Sequence, residues 1–302
     1  MTYWPDLLDL LMQTAAIAAE REVAAVVWAG DVFHHKAPSR TDHGLVQDLI
    51  RVIQAYERPV YVVAGNHDVQ HDRLASIEAT QPLGVLYKAG ALPLDGWAQG
   101  NLPLYGVPWQ QRWSAERIRE VLTAWERDLM ARSLVVTHAP IYPPGQEKPW
   151  ECTPAAWWAS ALADGTMGHG LFYGHVHEPH GVYEVDGTRF CNNGALSRGS
   201  LEEFNLNRLV GCTLWDDETG AFDFVPLRSR PASEVFRLRE HDQAVTAQGR
   251  LDNFLAEIGS VRLPRLSVEG VTEHIRSLML GPEIEELAEE LLAQAAYEGR
   301  RH

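Results

Sequence analysis

Four short polar stretches of this sequence each follow an apolar run, and each carries side chains that can bind a metal ion or transfer a proton. They are Gly30-Asp31, Gly65-Asn66-His67-Asp68, Thr137-His138 and Gly174-His175-Val176-His177. A single stretch of this kind is equally well explained as an ordinary turn. Four of them, each at the end of a run typical of a buried strand, predict that four strand ends converge on one site.

The residue types in these stretches favour metal-assisted chemistry. Aspartate, asparagine and histidine offer oxygen and nitrogen donors that suit Mn, Fe or Zn, and no thiolate lies nearby to suggest a structural zinc site. Asn66 is the informative residue, because a neutral amide is a poor general base and is better explained as an oxygen ligand. Two metal ions about 3.5–4 Å apart can activate water and hold the phosphoryl oxygens of an in-line displacement. Asp31 is the candidate for the carboxylate that bridges them.

The segments between these stretches must bring them together, and their patterns alternate between helix and strand. Apolar residues at helical spacing predict helices over residues 7–22, 42–56, 73–80, 114–131 and 154–163, and apolar runs predict strands over 23–29, 60–63, 85–94, 102–107 and 133–137. Residues 139–153 are rich in proline and are expected to form a lid or binding loop. After His177, strands over 181–185, 188–192, 209–215 and 221–225 predict a β-meander with a tight turn at Asp186-Gly187.

These elements predict a mixed α/β fold in which two packed β-sheets are flanked by helices. A chain of 302 residues is long enough for about two domains. We expect a first domain over residues 1–228 and a small C-terminal helical extension over 229–302, with helices at 271–279 and 282–296. That helix pair suits either the docking of a partner or the closure of the fold.

Composition and charge restrict the classes of function. With 45% apolar residues and no apolar stretch of membrane-spanning length or signal-peptide pattern, the chain is expected to be cytoplasmic, without a membrane partner. Cys152, Cys191 and Cys212 are scattered and predict neither a disulfide framework nor a zinc knuckle. The 26 basic and 41 acidic residues give a net charge of −15, which argues against an independent nucleic-acid binder. A metal site or a partner subunit can supply the missing positive charge.

The spaced set of motifs resembles the calcineurin-like metallophosphoesterases over residues 5–226. The resemblance implies an αββα sandwich that binds two divalent metal ions. It implies that Asp31 bridges the two ions, that Asn66, His138 and His175 complete one metal site, and that His177 belongs to the other. It also implies that His67 acts as a proton donor or contacts the phosphate in the transition state, oriented by Asp68.

A narrower resemblance lies in Gly30-Asp31-Val32-Phe33-His34, followed by Lys36-x-Pro38-Ser39. This segment is similar to the SbcD-type nucleases of double-strand-break repair, and the similarity implies that His34 sits at the active site. It further implies a Mn-dependent exonuclease or endonuclease that cleaves DNA with a metal-activated hydroxide, an SbcC-type ATPase as partner, and a homodimer. The alternative is that His34 and His35 cap a solvated loop.

The sequence departs from the family pattern at its first motif. The family begins with a strand ending in Asp-x-His, which supplies two ligands of the metal shared with His177, and no Asp-x-His precedes Asp31 here. Asp6 and Asp9 are better explained as partners of the helix dipole in the first predicted helix. Either the reading frame begins at an internal methionine, or the chain is a degenerate relative with one metal site. We favour the first, because a missing first strand would expose apolar faces of its neighbours.

Other residues leave alternatives open. Arg198, in a glycine-containing turn after a predicted strand, is a candidate contact for a substrate phosphate, or it lies in a plain surface turn. The tryptophans near the motifs are suited to stacking on bases, although packing explains them better. They include Trp109, Trp113, Trp150, Trp157 and Trp158. Two further functions remain: a phosphatase or phosphodiesterase of small molecules, and a non-catalytic relative with a single metal site.

Overall fold

The computed structural model describes residues 3–35, 38–69, 74–123, 132–146, 152–163, 170–198 and 203–236, together with residues 287, 288, 290 and 291. The chain forms two compact units, Met1–Leu238 and Arg239–His302. The predicted division at residue 228 stays a prediction. The helices predicted at 271–279 and 282–296 lie outside the described residues, except for the four helical residues between 287 and 291.

The first unit alternates helices and strands along the chain. Its helices are α1 (Tyr3–Glu20), α2 (His43–Ala55), α3 (Ser76–Thr80), α4 (Pro82–Lys88), α5 (Ala115–Thr123), α6 (Ala155–Ala163), α7 (Glu203–Asn207) and α8 (Ala232–Val235), with a 3-10 turn at Pro38–Arg40. Its strands are β1 (Val26–Trp28), β2 (Val60–Val62), β3 (Leu92–Pro93), β4 (Gly96–Trp97), β5 (Leu104–Val107), β6 (Leu134–Thr137), β7 (Ile141–Tyr142), β8 (Thr153–Pro154), β9 (Gly170–Tyr173), β10 (Gly181–Val185), β11 (Thr188–Asn192), β12 (Gly211–Trp215) and β13 (Phe222–Pro226). Among the described helices, none combines the length and apolar character that crossing a membrane requires.

Two sheets carry the architecture. The first is a parallel sheet in the order β1-β2-β3, and the second has the order β10-β11-β9-β6-β5-β4. In the second sheet, β11, β9, β6 and β5 pair in parallel, and the edge strands β10 and β4 are antiparallel to their neighbours. Two smaller pairs, β7-β8 and β12-β13, complete the strands.

Apolar side chains pack in three layers around these sheets. Tyr61 of the first sheet and Val63, just after β2, share one cluster with Val136 of the second sheet, so the sheets face each other. On the outer face of the first sheet, Val62 packs with side chains of α1 and α2. On the outer face of the second, Val135 packs with side chains of α5 and α6. The fold is therefore a mixed α/β sandwich of two sheets between helices, as the sequence predicts.

The prediction of a strand over 85–94 is wrong for its first half. Pro82 begins α4, where proline is well suited to the first helical turn. Leu83 and Leu86 are fully buried and stand three residues apart, which is the spacing of a helix face. The strand is confined to Leu92–Pro93.

The predicted β-meander and the irregular loop also need correction. The hairpin β10-β11 has the expected tight turn, in which Asp186 and Gly187 have φ of 48° and 79°. However, β11 pairs in parallel with β9, so this hairpin extends the second sheet, while β12 and β13 form a separate two-stranded sheet among the described strands. Within the proline-rich segment, Ile141–Tyr142 pairs with Thr153–Pro154 and closes the base of the loop. Residues 147–151 of that segment lie outside the described residues.

The start of α1 is fixed by a buried ion pair. Asp6 lies in the first turn of the helix, as predicted, but its side chain is buried and its carboxylate lies 3.0 Å from Arg198. The backbone N–H of Arg230 donates to the same carboxylate at 3.2 Å. Asp6 therefore joins three segments of the unit, whereas Asp9 is exposed and accepts a hydrogen bond from Gln13, its neighbour on the same helix.

Candidate metal centre

Four strand ends from the two sheets meet at one place. Asp31 follows β1 and Asn66 follows β2, its parallel neighbour in the first sheet. His138 follows β6 and His175 follows β9, which are parallel neighbours in the second sheet. The carboxyl ends of parallel neighbours share one sheet edge, and the two edges face each other here.

The polar atoms of these four side chains are within contact distance. Asn66 Oδ1 lies 3.1 Å from His138 Nε2 and 3.1 Å from His175 Nδ1. His138 Nε2 lies 3.3 Å from Asp31 Oδ2 and 3.3 Å from His175 Nδ1. Ligand atoms of the aspartate and the two histidines all lie within 4.8 Å of one another.

This donor set fits a divalent cation. A carboxylate oxygen, an amide oxygen and two imidazole nitrogens turn toward a common point, and each can offer a lone pair. Two ligands bound to one ion at 2.0–2.2 Å are roughly 3.0–3.4 Å apart, which matches the separations above. The mixture of oxygen and nitrogen donors suits Mn, Fe or Zn.

The backbone at the site is strained and tightly packed. Asp31 and His175 have φ of 51° and 74°, a left-handed conformation that residues other than glycine rarely adopt. A β-carbon at Gly65 would collide with the backbone and carboxylate of Asp31, and one at Gly174 would collide with the carbonyl of Ala29. Glycine at these two positions lets the strand ends approach closely enough for their side chains to meet.

Asp31 and His138 form a charge-coupled pair. Burial disfavours a charge on either group, but their mutual hydrogen bond and attraction outweigh it. The pKa of Asp31 is therefore lowered, with a further contribution from the backbone N–H of His67, which donates to its carboxylate at 2.8 Å. The pKa of His138 is raised. The carbonyl of Ala29 accepts a hydrogen from His138 Nδ1 at 2.7 Å, which leaves Nε2 directed at the donor set.

His175 is held as a neutral imidazole. Burial, followed by repulsion from His138 when that residue is protonated, lowers the pKa of His175 to about 4. The indole ring of Trp109 stacks on this imidazole, with ring centroids 5.0 Å apart and planes 25° from parallel. Trp109 thus packs against a candidate ligand, which agrees with the packing interpretation of this residue.

Asp68 contacts backbone amides rather than His67. Its buried carboxylate accepts hydrogen bonds from the N–H groups of Gly65 at 3.0 Å, Phe33 at 3.2 Å and Val32 at 3.3 Å. Burial, followed by the negative charge of Asp31, raises the pKa of Asp68 to about 6. In this geometry Asp68 ties the turn after β2 to the turn after β1.

His67 is oriented by a backbone carbonyl. Its Nδ1 lies 2.8 Å from the carbonyl oxygen of His34, and because a carbonyl only accepts, Nδ1 carries the hydrogen. The rings of His34 and His67 stack with centroids 5.6 Å apart, and His35 lies 4.6 Å from His34. The predicted active-site position of His34 is thus next to His67, on an exposed surface.

Two other candidate residues lie outside the donor set. His177 is exposed, and in the described part of the chain it does not belong to the group of converging ligand atoms. Its assignment to a second metal site stays a prediction. Arg198 is buried and pairs with Asp6, and its guanidinium lies over the ring of Phe236. Arg198 thus has a structural partner in Asp6, and its role as a phosphate contact stays a prediction.

Sequence reasoning missed groups that act through tertiary contacts. The backbone carbonyls of Ala29 and His34 orient two histidines, and no residue type in the sequence marks a carbonyl for that role. The side chain of Asn192 contacts the segment that carries His175. The only available signal was its position as a polar residue at the end of an apolar strand.

This chain is similar to proteins that are already known. A family model described as calcineurin-like phosphoesterase matches residues 2–179. The DNA double-strand break repair protein Mre11 of Haloferax volcanii is 24% identical over 205 residues, which cover 66% of this chain and 42% of that protein. The chain therefore spans less than half the length of that relative. A dimetal phosphatase from Danio rerio with a known crystal structure is 17% identical with a TM-score of 0.37, over 62% of this chain and 77% of its own. Because the family match spans more than half of its length, this chain belongs to the calcineurin-like phosphoesterase family.

Proposed function

We propose that this chain is a metal-dependent phosphodiesterase that cleaves DNA, with Mn as the preferred metal. The observation that carries the proposal is the convergence of Asp31, Asn66, His138 and His175 at adjoining strand ends. Family membership supports hydrolysis of a phosphate ester. The similarity to Mre11, a DNA double-strand break repair protein, supports DNA as the substrate.

The four converging side chains would hold one divalent ion, and His177 would contribute to a second. Such ions, when bound, activate water and neutralise charge on the phosphoryl oxygens. The protein's own contribution is to fix the donors before substrate arrives. The Ala29 carbonyl orients His138, Trp109 packs on His175, and the backbone N–H of His67 holds the Asp31 carboxylate.

His67 is the group we assign to proton transfer. With its Nδ1 hydrogen donated to the carbonyl of His34, its Nε2 is the nitrogen available to a substrate. As an imidazolium, His67 can donate the Nε2 proton to the departing oxygen of a phosphodiester. Asp68 would support this step indirectly, because it holds the turn that presents His67.

The partners follow from the same proposal. A chain with a net charge of −15 is repelled by the phosphate backbone, so productive DNA binding calls for positive charge from bound metal or from another subunit. An SbcC-type ATPase and a second copy of this chain are the proposed sources.

A second candidate is hydrolysis of small phosphomonoesters or phosphodiesters. The same net charge of −15 favours it, because small substrates do not need an extended basic surface. The donor set described above serves either substrate class, so the two candidates differ in substrate and not in the metal centre.

The test compares substrates on the full chain in Mn²⁺. We would measure turnover of linear duplex DNA, bis-p-nitrophenyl phosphate and p-nitrophenyl phosphate, with Asp31→Asn as control. Degradation of the duplex by the wild type, abolished in the variant, supports the DNA nuclease. Turnover of the small esters alone favours the second candidate.

The number of bound metal ions distinguishes a third possibility, a non-catalytic relative with one metal site, from the two enzymatic candidates. Elemental analysis after dialysis against Mn²⁺ gives the number of ions per chain. A chain that binds one ion and hydrolyses none of the three substrates would contradict the proposed enzyme and leave a metal-binding relative of the family.

A further inference from the structure

The segment Gly174 to His177 carries two candidate ligands, and one buried side chain holds it. We propose that Asn192, the last residue of β11, is a positioning residue that fixes this segment in its metal-binding conformation. The inference rests on the proposed function, because it concerns the same metal centre.

Asn192 uses all of its side-chain hydrogen-bonding capacity on the backbone around this segment. Its amide Nδ2 donates to the carbonyl of Tyr173 at 2.9 Å and to the carbonyl of Val176 at 3.2 Å. Its Oδ1 accepts from the N–H of His180 at 3.3 Å and from the N–H of Gly194 at 3.1 Å. The bonds therefore reach the residues before, within and after the ligand segment. Asn192 is 1% exposed, so its side-chain amide is shielded from water.

The ligand segment needs such support because of its backbone. His175 has φ of 74°, and a residue other than glycine persists in that conformation only when its surroundings impose it. Tyr173 and Val176 flank His175, and Asn192 binds the carbonyls of both. A further hydrogen bond also holds the ligand segment, since the N–H of Ala195 donates to the carbonyl of His177 at 3.1 Å.

Asparagine suits this position because the four backbone groups comprise two acceptors and two donors. A carboxylate of the same size offers no hydrogen to the two carbonyls, and a protonated carboxyl offers one at most. An aliphatic side chain would remove all four of these hydrogen bonds, two of which are buried. The four hydrogen bonds thus require the side-chain amide group. Substitution by aspartate removes this amide with little change in side-chain volume, and so tests its role.

The experiment compares Asn192→Asp with the neighbouring Asn193→Asp. Asn193 donates through Nδ2 to the carbonyl of Gly211 at 2.8 Å, which lies in β12 and not in the ligand segment. For both variants and the wild type we would measure the dissociation constant for Mn²⁺ by electron paramagnetic resonance, and the Tm of the metal-free protein. We expect a lower metal-free Tm for both variants. Only Asn192→Asp should weaken Mn²⁺ binding, by about 10–100-fold, which is typical of lost support around metal ligands.

Equal Mn²⁺ affinity in the wild type and Asn192→Asp would overturn the inference, as would an equal loss of affinity in Asn193→Asp. If Asn192→Asp shows no cooperative unfolding, the same titration on Asn192→Ser decides, because serine introduces no buried charge. Weakened binding in that variant supports the inference, and unchanged binding overturns it. A wild type that binds no Mn²⁺ would contradict the proposed function itself, which is a separate result.

Discussion

At the scale of single residues, the centre depends on side chains that satisfy backbone groups. Asp68 illustrates this. The resemblance to the family implies that Asp68 orients His67, whereas in the structure its carboxylate accepts hydrogen bonds from three backbone N–H groups. The carboxylate holds two turns together, and each turn carries a candidate metal ligand. A side chain in such a position affects the site through folding as well as through chemistry.

We therefore expect Asp68→Ala to lower the free energy of unfolding by about 3 kcal/mol, because buried N–H groups without acceptors are costly. Asp68→Asn, which keeps one acceptor oxygen, should lose about half as much. Urea unfolding of the metal-free variants measures both. If Asp68 instead acts through His67, the alanine variant would lose turnover while its free energy of unfolding stayed unchanged.

Gly65 provides a second test at this scale. A β-carbon there collides with the backbone and carboxylate of Asp31, so Gly65→Ala must displace a candidate ligand. We expect its Mn²⁺ affinity to fall at least tenfold, or about 1.4 kcal/mol, in a calorimetric titration. Gly187→Ala strains a different turn, at φ of 79°, and serves as the control. Unchanged Mn²⁺ affinity in Gly65→Ala would show that the two turns do not approach as closely as described.

At the scale of elements, the sequence predicts helices and strands well where neighbouring residues determine them, as at a helix cap. Asp42 caps α2, and its side chain accepts from the N–H of Gly44. The signal failed at α4, where a short apolar run fits either a strand or a buried helix. β11 has the predicted bounds, but its parallel pairing with β9 was not predicted, because this long-range contact is not revealed by hairpin spacing.

The ligand stretches were predictable for a related reason. Each lies within a few residues of the strand that positions it, so types and spacing in the sequence marked Asp31, Asn66, His138 and His175 directly. The supporting contacts were not predictable in this way. Asp68 and Asn192 bind backbone groups of segments distant in sequence or across a turn, and those partners exist only after folding.

Helix α1 yields a prediction at the scale of elements. Removing one member of a buried ion pair leaves an uncompensated charge, so Asp6→Ala should destabilise the protein by about 3–5 kcal/mol. The double variant Asp6→Ala with Arg198→Met should be less destabilised than the sum of the two single variants, because it removes both charges. Urea unfolding of the wild type, the two single variants and the double variant gives the free energies of this double-mutant cycle. Asp9→Ala, on the exposed side of the same helix, should change stability by less than about 0.5 kcal/mol.

Additive losses in that cycle would contradict the pairing. They would mean that Asp6 and Arg198 stabilise the unit independently, for example through the contacts of Asp6 with the backbone of Arg230 and of Arg198 with Phe236.

At the scale of the first unit, the candidate ligands come in equal number from the two sheets. Asp31 and Asn66 follow strands of the first sheet, and His138 and His175 follow strands of the second. A bound ion would therefore connect the sheets directly, in addition to the apolar layer between them. Unfolding of the sandwich would release the ion, so metal binding and global stability must be linked.

This linkage gives a prediction for the whole unit. At a Mn²⁺ concentration 100 times the dissociation constant, binding stabilises the native state by about 2.7 kcal/mol, which raises the Tm of a unit of this size by about 5–10 °C. Differential scanning calorimetry with and without Mn²⁺ measures the shift, and excess EDTA should reverse it. Asp31→Asn should show almost no shift, since it removes a charged donor from the set. A shift in the wild type that persists undiminished in Asp31→Asn would place the stabilising ion elsewhere on the protein.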